Sequence, residues 1–289
     1  MTARIVDHGT IAALHVTTSG CERAQHIEGA PDVLRLSVDS VTLNRVNRDQ
    51  NKRPLPLRST SMIPWKHLDT AAIPGSQKRL KLYERDEEFS IHVDDSELMN
   101  SRAYSSEDGF SELGSARIAG RPKPRVLIGG LGMGYTLRSA LEALPADAEV
   151  VVSELVPQVA TWNREVFGHL ANHPLRDPRV TLREVDVARV LRESRQQFDL
   201  ILLDVDNGPE GFTRQANDWL YSEPGLQAAR AALRPHGVLG YWSSGSDQSF
   251  VRRLEDEGFD VDEIALHATT GSHGAQHVIW LATVRAGAR

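Results

Sequence analysis

The chain has 289 residues, of which 40% are hydrophobic and 25% charged, the profile of an ordinary globular protein rather than a disordered or membrane-spanning one. Thirty-three Lys and Arg against 39 Asp and Glu leave a formal net charge of −6, which gives no general attraction to nucleic acid or to an anionic membrane. The single cysteine, Cys21, excludes an internal disulfide and any Cys-based zinc site. No basic stretch followed by an apolar one opens the sequence. No signal peptide is therefore expected, and the expected location is the cytoplasm.

Residues 1–61 are poorly patterned. "RVNRDQNKRPLPLRSTS" is polar, holds two prolines and shows no period. So little apolar surface does not offset the entropy of ordering, and the expectation is a loosely ordered extension. Better patterning begins at Met62, which also fits an upstream stretch joined by a misassigned start. Residues 62–120 read as a small region of their own. "LKLYER" places Leu80 and Leu82 on one face, and "FSIHV" does the same for Phe89, Ile91 and Val93. With the acidic "RDEE" as the turn, these predict a β-hairpin. From Ser105 the period becomes helical, with Phe110, Leu113 and Ile118 on one face and Ser105 or Ser106 as the cap.

Residues 121–289 carry the strongest pattern. Strands are predicted at 125–130, 149–154, 179–184, 199–204, 237–242, 259–265 and 276–284, and helices at 134–144, 156–169, 187–195, 222–233 and 246–257. Alternation of this kind argues for a mostly parallel sheet of seven strands with helices on both faces, a Rossmann-like α/β domain. The last strand follows its predecessor with no helix between, so it is expected to pair antiparallel at or near the sheet edge.

The chemistry gathers at the carboxyl ends of these strands. "RVLIGGLGMGYTLRSAL" carries a strand into Gly130, Gly132 and Gly134 and then into a helix. Glycine admits positive φ and lets a ligand approach main-chain N–H groups. Glu154 closes the next strand, where a carboxylate can accept both hydrogen bonds of a ribose diol. Asp186, just past the third strand, is placed to read an adenine edge together with the Val187 N–H; capping the helix that follows is its other role. Asp204 ends the fourth strand in "FDLILLDVDNGP", with Asp206 and Asn207 on the loop beyond. His267, His273 and His277 have no acids at metal-ligand spacing. They are read as loop and edge-strand residues, and no metal is expected.

"RVLIGGLGMGYTLRSAL", "VVSELVPQV", "DPRVTLREVDV" and "FDLILLDVDNGP" together resemble the successive motifs of the spermidine synthase family, polyamine aminopropyltransferases with the class I S-adenosylmethionine methyltransferase fold. The resemblance runs from about 78 to 284. It includes "SEDGFSE", which is similar to the family's acidic stretch and retains acids at Glu107 and Glu112. It implies that Glu154 holds the ribose, Asp186 the adenine and Asp204 the attacking amine, with Glu107, Glu112 and Asp206 available to distal ammonium groups. It also implies that Tyr221 walls the substrate pocket, although packing against the sheet would serve that residue equally. Decarboxylated S-adenosylmethionine is the implied co-substrate, a small-molecule amine the acceptor, and a homodimer the assembly.

The sequence departs from that family on one side of the site. Gly132 stands where the family's glycine loop carries an aspartate, Phe110 where it carries a tyrosine, Ser111 where it carries Gln or His, and Asn207 where it carries a second aspartate. The nucleoside half is retained while the amine half has lost acids and a hydroxyl. An acid ~4 Å from a donor carboxylate costs roughly 4 kcal/mol at an effective dielectric of about 20. Its loss therefore weakens discrimination against S-adenosylmethionine itself. Methyl transfer to a small molecule is the alternative reading, and an inactive nucleoside-binding scaffold is a second.

Overall fold

The structure, a computed structural model, describes residues 63–205, 217–269 and 275–285, all within one compact unit that begins at Thr60. The expected extension 1–61, together with Asp206, Asn207 and His273, lies outside the described residues.

Four antiparallel strands come first: β1 (Lys66–Ala72), β2 (Arg79–Arg85), β3 (Glu88–Val93) and β4 (Ser96–Asn100). The expected hairpin is β2–β3, with Leu82 opposite Ile91. Sequence pattern missed its flanking strands. β1 buries only Ala71 fully and β4 buries no residue fully, so neither shows a clear alternation. This sheet is fastened through Asp69 to the helix Pro157–Glu165. Its Oδ2 accepts from Trp162 Nε1 at 2.8 Å and from Gln158 Nε2 at 2.7 Å.

Helix α1 (Ser105–Arg117) follows. Its N-cap is Tyr104 and no side chain caps it, so Ser105 and Ser106 sit in the first turn instead of before it. Phe110 and Ile118 are buried as expected, but Leu113 is exposed. The helix faces the sheet with its small residues: a Cβ on Gly114 would meet Leu202 at 3.0 Å.

Seven further strands form the main sheet: β5 (Arg125–Gly129), β6 (Glu149–Ser153), β7 (Val180–Arg183), β8 (Phe198–Leu203), β9 (Leu233–Ser243), β10 (Phe259–His267) and β11 (Gln276–Val284). Their order is β10-β11-β9-β8-β5-β6-β7. Only β11 runs against the others, and it lies between β10 and β9, so β10 rather than β11 is the edge strand at that end, with β7 at the other. Helices α2 (Tyr135–Ala143), α3 (Pro157–Glu165), α4 (Val187–Glu193), α5 (Asp218–Tyr221), α6 (Glu223–Ala232) and α7 (Gln248–Asp256) connect them. Strand alternation divides the core into two layers. Val126, Ile128, Leu200 and Leu202 face α1, α2, α3 and the small sheet. Leu127, Ile201 and Leu203 face α4, α6 and α7. Among the described residues no helix is long and apolar enough to cross a membrane.

One buried acid ties the amino ends of the sheet together. Asp199 accepts from Arg121 Nη1 at 2.9 Å, Arg234 Nη1 at 2.6 Å and the Arg125 N–H at 2.8 Å. Both arginines reach water, so removing the acid strands less charge than in a fully buried cluster. Asp199→Ala should lower the unfolding free energy by about 2–3 kcal/mol in denaturant titration; a loss below about 0.5 kcal/mol would show that the cluster is ornamental.

Candidate active site

Between β5 and β8 the strand order reverses, and the carboxyl ends of the sheet open a crevice there. The glycine bend forms its floor. Gly130, Gly132 and Gly134 have φ of 92°, 49° and 88°, all left-handed. A Cβ on Gly130 would stand 2.0 Å from the Asp204 carbonyl oxygen, so no other residue fits. The side-chain amide of Asn163, on α3, donates to the Gly132 carbonyl at 2.7 Å and steadies the bend.

Glu154 follows β6 and points back beneath this bend. Its Oε2 accepts from the Leu131 N–H at 2.9 Å, and Oε1 from the Val156 N–H at 2.8 Å. Burial pushes its pKa up, while those two N–H groups pull it down. Asp186 caps α4 by accepting from the Ala188 N–H at 2.9 Å. Asp186 and Val187 line the same pocket as Glu154, Gly130, Gly132 and Asp204. The pocket opens to solvent and, its mouth included, spans about 1080 Å³.

A second acidic element faces the first. Asp204 and Glu107 both line the pocket; Glu107 is buried and Asp204 half-buried. Thr136, in the first turn of α2, donates to Asp204 Oδ2 at 2.6 Å. Burial raises the Asp204 pKa. Burial, and after it the neighbouring Asp204, pushes Glu107 up to about 7. Two such neighbouring carboxyl groups do not both ionise readily.

Elsewhere this half of the pocket is apolar. Ile73, Leu80 and Ile91 from the small sheet line it, as do Leu98 and Met99 of β4 and Trp242 of β9. A Cβ on Gly132 would meet Met99 Sδ at 3.0 Å, so a thioether occupies the space beside the loop position that carries an acid in the resembled family. Glu112 is exposed. Five residues after Glu107 it lies on another side of α1, bordering a separate surface depression with Ser115 and Arg121. Tyr221 is packed in the core against Tyr241 and Phe250 and does not line the pocket. Thr136, Asn163, Met99 and Trp242 were not singled out from sequence. Only Thr136, two residues beyond the glycine bend, stood where a sequence signal could have found it.

Comparison with known proteins bears on the same segment. Residues 116–245 match the spermine/spermidine synthase domain. The resemblance carried by the motifs is borne out over that stretch. A polyamine aminopropyltransferase of Leptospira biflexa serovar Patoc is 31% identical over 130 residues, 43% of this chain and 44% of that one. The chain thus matches less than half the length of this curated relative. The crystal structure of a spermidine synthase in complex with the transition-state analogue AdoDATO superposes with TM-score 0.61 at 19% identity, covering 75% of this chain and 73% of that one. Spermidine synthase from Thermotoga maritima gives TM-score 0.59 at 18% identity, covering 75% and 72%. At those identities the superpositions establish the fold, that of the expected mostly parallel α/β sheet.

The acid pair makes stability depend on pH. A carboxyl whose pKa rises on folding holds its proton more tightly in the folded chain, and it opposes folding wherever the unfolded chain would be ionised. For Glu107 this cost is absent below about pH 4.5 and fully present above about 7. Glu107→Gln should therefore stabilise the protein at about pH 8, by about 3 kcal/mol at most, and change little near pH 4.5. Thermal unfolding at both pH values checks this; equal effects at the two would contradict it.

Proposed function

We propose that this chain is a transferase that moves an aminopropyl group from decarboxylated S-adenosylmethionine to an amine, in the manner of polyamine biosynthesis. The observation that carries the reading is one pocket holding both a main-chain-tethered carboxyl group under a bare glycine bend and a second pair of acids, Asp204 and Glu107. The similarity of residues 116–245 to spermine/spermidine synthases supports it.

In this reading Glu154 takes the ribose hydroxyls on lone pairs left free by the Leu131 and Val156 N–H groups. Asp186 and the Val187 N–H address the adenine, with Val156 and Val159 as apolar wall. Asp204, oriented by Thr136, receives the acceptor amine. The amine nitrogen attacks the methylene next to the sulfonium, the C–S bond breaks, and methylthioadenosine leaves with the electron pair on sulfur. The amine proton passes to Asp204 or Glu107. The sulfonium already departs well, so the protein contributes position and a proton sink. Bound donor and amine bring positive charge to two acids whose pKa values are raised, which lowers those values and readies the acids as acceptors. The acceptor is a small-molecule amine, and the setting is the cytoplasm. Residues 62–120 and 121–289 act as one catalytic unit, and the assembly is a homodimer.

Methyl transfer from S-adenosylmethionine is the second reading. It is favoured by Gly132 and Met99, which put an uncharged thioether where an acid would repel the donor's carboxylate.

Product analysis separates the two. Incubation with decarboxylated S-adenosylmethionine and an amine panel should release methylthioadenosine. S-adenosylhomocysteine formed from S-adenosylmethionine would favour methyl transfer, and neither product would overturn both. Asp204→Asn should cut turnover at least about a hundredfold while methylthioadenosine binds as before; unchanged turnover would remove Asp204 from the amine. Glu154→Ala should weaken methylthioadenosine binding by about 1.5–3 kcal/mol. Unaltered affinity by calorimetry would deny Glu154 the ribose.

A further inference from the structure

Glu107 is joined on its far side to a residue in a distant strand. Ser106, fully buried, donates from Oγ to Glu107 Oε2 at 2.6 Å. The same hydroxyl lies 2.8 Å from His277 Nδ1, on β11. The His277 ring packs edge-on against Trp242 with centroids 4.5 Å apart, and Trp242 lines the pocket. A serine chosen merely to fill space would not need two polar partners in line.

A hydroxyl has a single proton, so the chain Glu107–Ser106–His277 has two arrangements. With Glu107 ionised, Ser106 donates to it and accepts from a protonated Nδ1. With Glu107 protonated, the acid donates to Ser106, which donates to a bare Nδ1. Passing from the second to the first transfers one proton from Glu107 to Oγ and one from Oγ to Nδ1, leaving a carboxylate and an imidazolium. Nothing is oxidised or reduced.

We propose that Ser106 and His277 form a proton path that drains Glu107, and through it the acid pair of the pocket, towards β11. The surroundings suit this. Around the chain, α1 also brings Asp108, which is paired with Arg138 of α2. Asp204 faces Glu107 from the end of β8, His267 lies on β10 opposite Gln276, and Trp242 of β9 is uncharged. Burial lowers the His277 pKa below its ordinary 6.5 and raises that of Glu107 to about 7, so the proton rests on Glu107 and crosses to the imidazole when a cation in the pocket lowers the Glu107 pKa. Ser106 and His277 are positioning residues that touch no reacting atom. Their use in turnover rests on the aminopropyl-transfer reading, but the path itself does not.

Imidazole NMR titration of His277 in the full chain tests the path without any activity. Glu107→Gln should move the His277 midpoint by about one pH unit. Ser106→Ala should remove that sensitivity, so that adding Glu107→Gln to it changes nothing further, and Ser106→Thr should retain it. A His277 titration indifferent to Glu107→Gln in a folded protein overturns the proposal. So does a response that survives Ser106→Ala. In turnover, His277→Gln should lower kcat at least about tenfold, with KM for the donor little changed and the acidic limb of the pH profile displaced. A fall in kcat with an unmoved profile would also overturn it. Absence of methylthioadenosine from the unaltered enzyme would instead count against the transferase reading, while the titration would still decide the path.

Discussion

Three strand ends converge on a bend that has no room for a side chain. The Gly130 N–H bonds the Ser153 carbonyl at 2.9 Å, and the Asp204 N–H bonds the Gly129 carbonyl at 2.8 Å. With the Cβ of any other residue at Gly130 driven into the Asp204 carbonyl, the close contact of β5 with β8 exists only because that position is glycine. The acids inherit their places from this contact. Glu154 hangs from the Leu131 N–H, and Asp204 leaves β8 right beside the bend. Left-handed φ at three glycines is thus a constraint on where carboxylates can stand, not only on how the chain turns.

The two halves of the crevice then follow different electrostatic rules. In the nucleoside half, two main-chain donors work against the burial that raises the Glu154 pKa and fix the direction in which its carboxyl accepts hydrogen bonds. In the opposite half Asp204 has one neutral donor, Thr136, and Glu107 has Ser106, with Met99, Leu98 and Trp242 around them. Acids with so little help have raised pKa values, about 7 for Glu107, and respond to whatever cation arrives. That is a poor arrangement for rigidity and a good one for taking up a proton.

Much of this was legible in the sequence because the strands of the main sheet are short apolar runs with glycines or acids at their ends. "RVLIG" and "FDLILL" need no partner to be recognised, and the bend after the first announces itself. β1 and β4 were not legible, since "KHLDTAA" and "SELMN" are amphipathic only once packed against β2 and β3. The acidic stretch of α1 was misjudged for a geometric reason. Glu107 and Glu112 share a motif but not a helix face. Tyr221 packs in the core against Tyr241 and Phe250, the role that the sequence held open beside the pocket wall. Ser106 and His277 lie 171 residues apart, and only the strand order brings them together.

Calorimetric titration of the full chain with decarboxylated S-adenosylmethionine and with S-adenosylmethionine, side by side at about pH 8, probes most directly whether an adenosine sulfonium lies between the bend and the acid pair. The account requires the decarboxylated ligand to bind at least about tenfold more tightly, roughly 1.4 kcal/mol, because Glu107, ionised above about pH 7, repels the extra carboxylate. Equal or reversed affinities, or no binding of either, would contradict it.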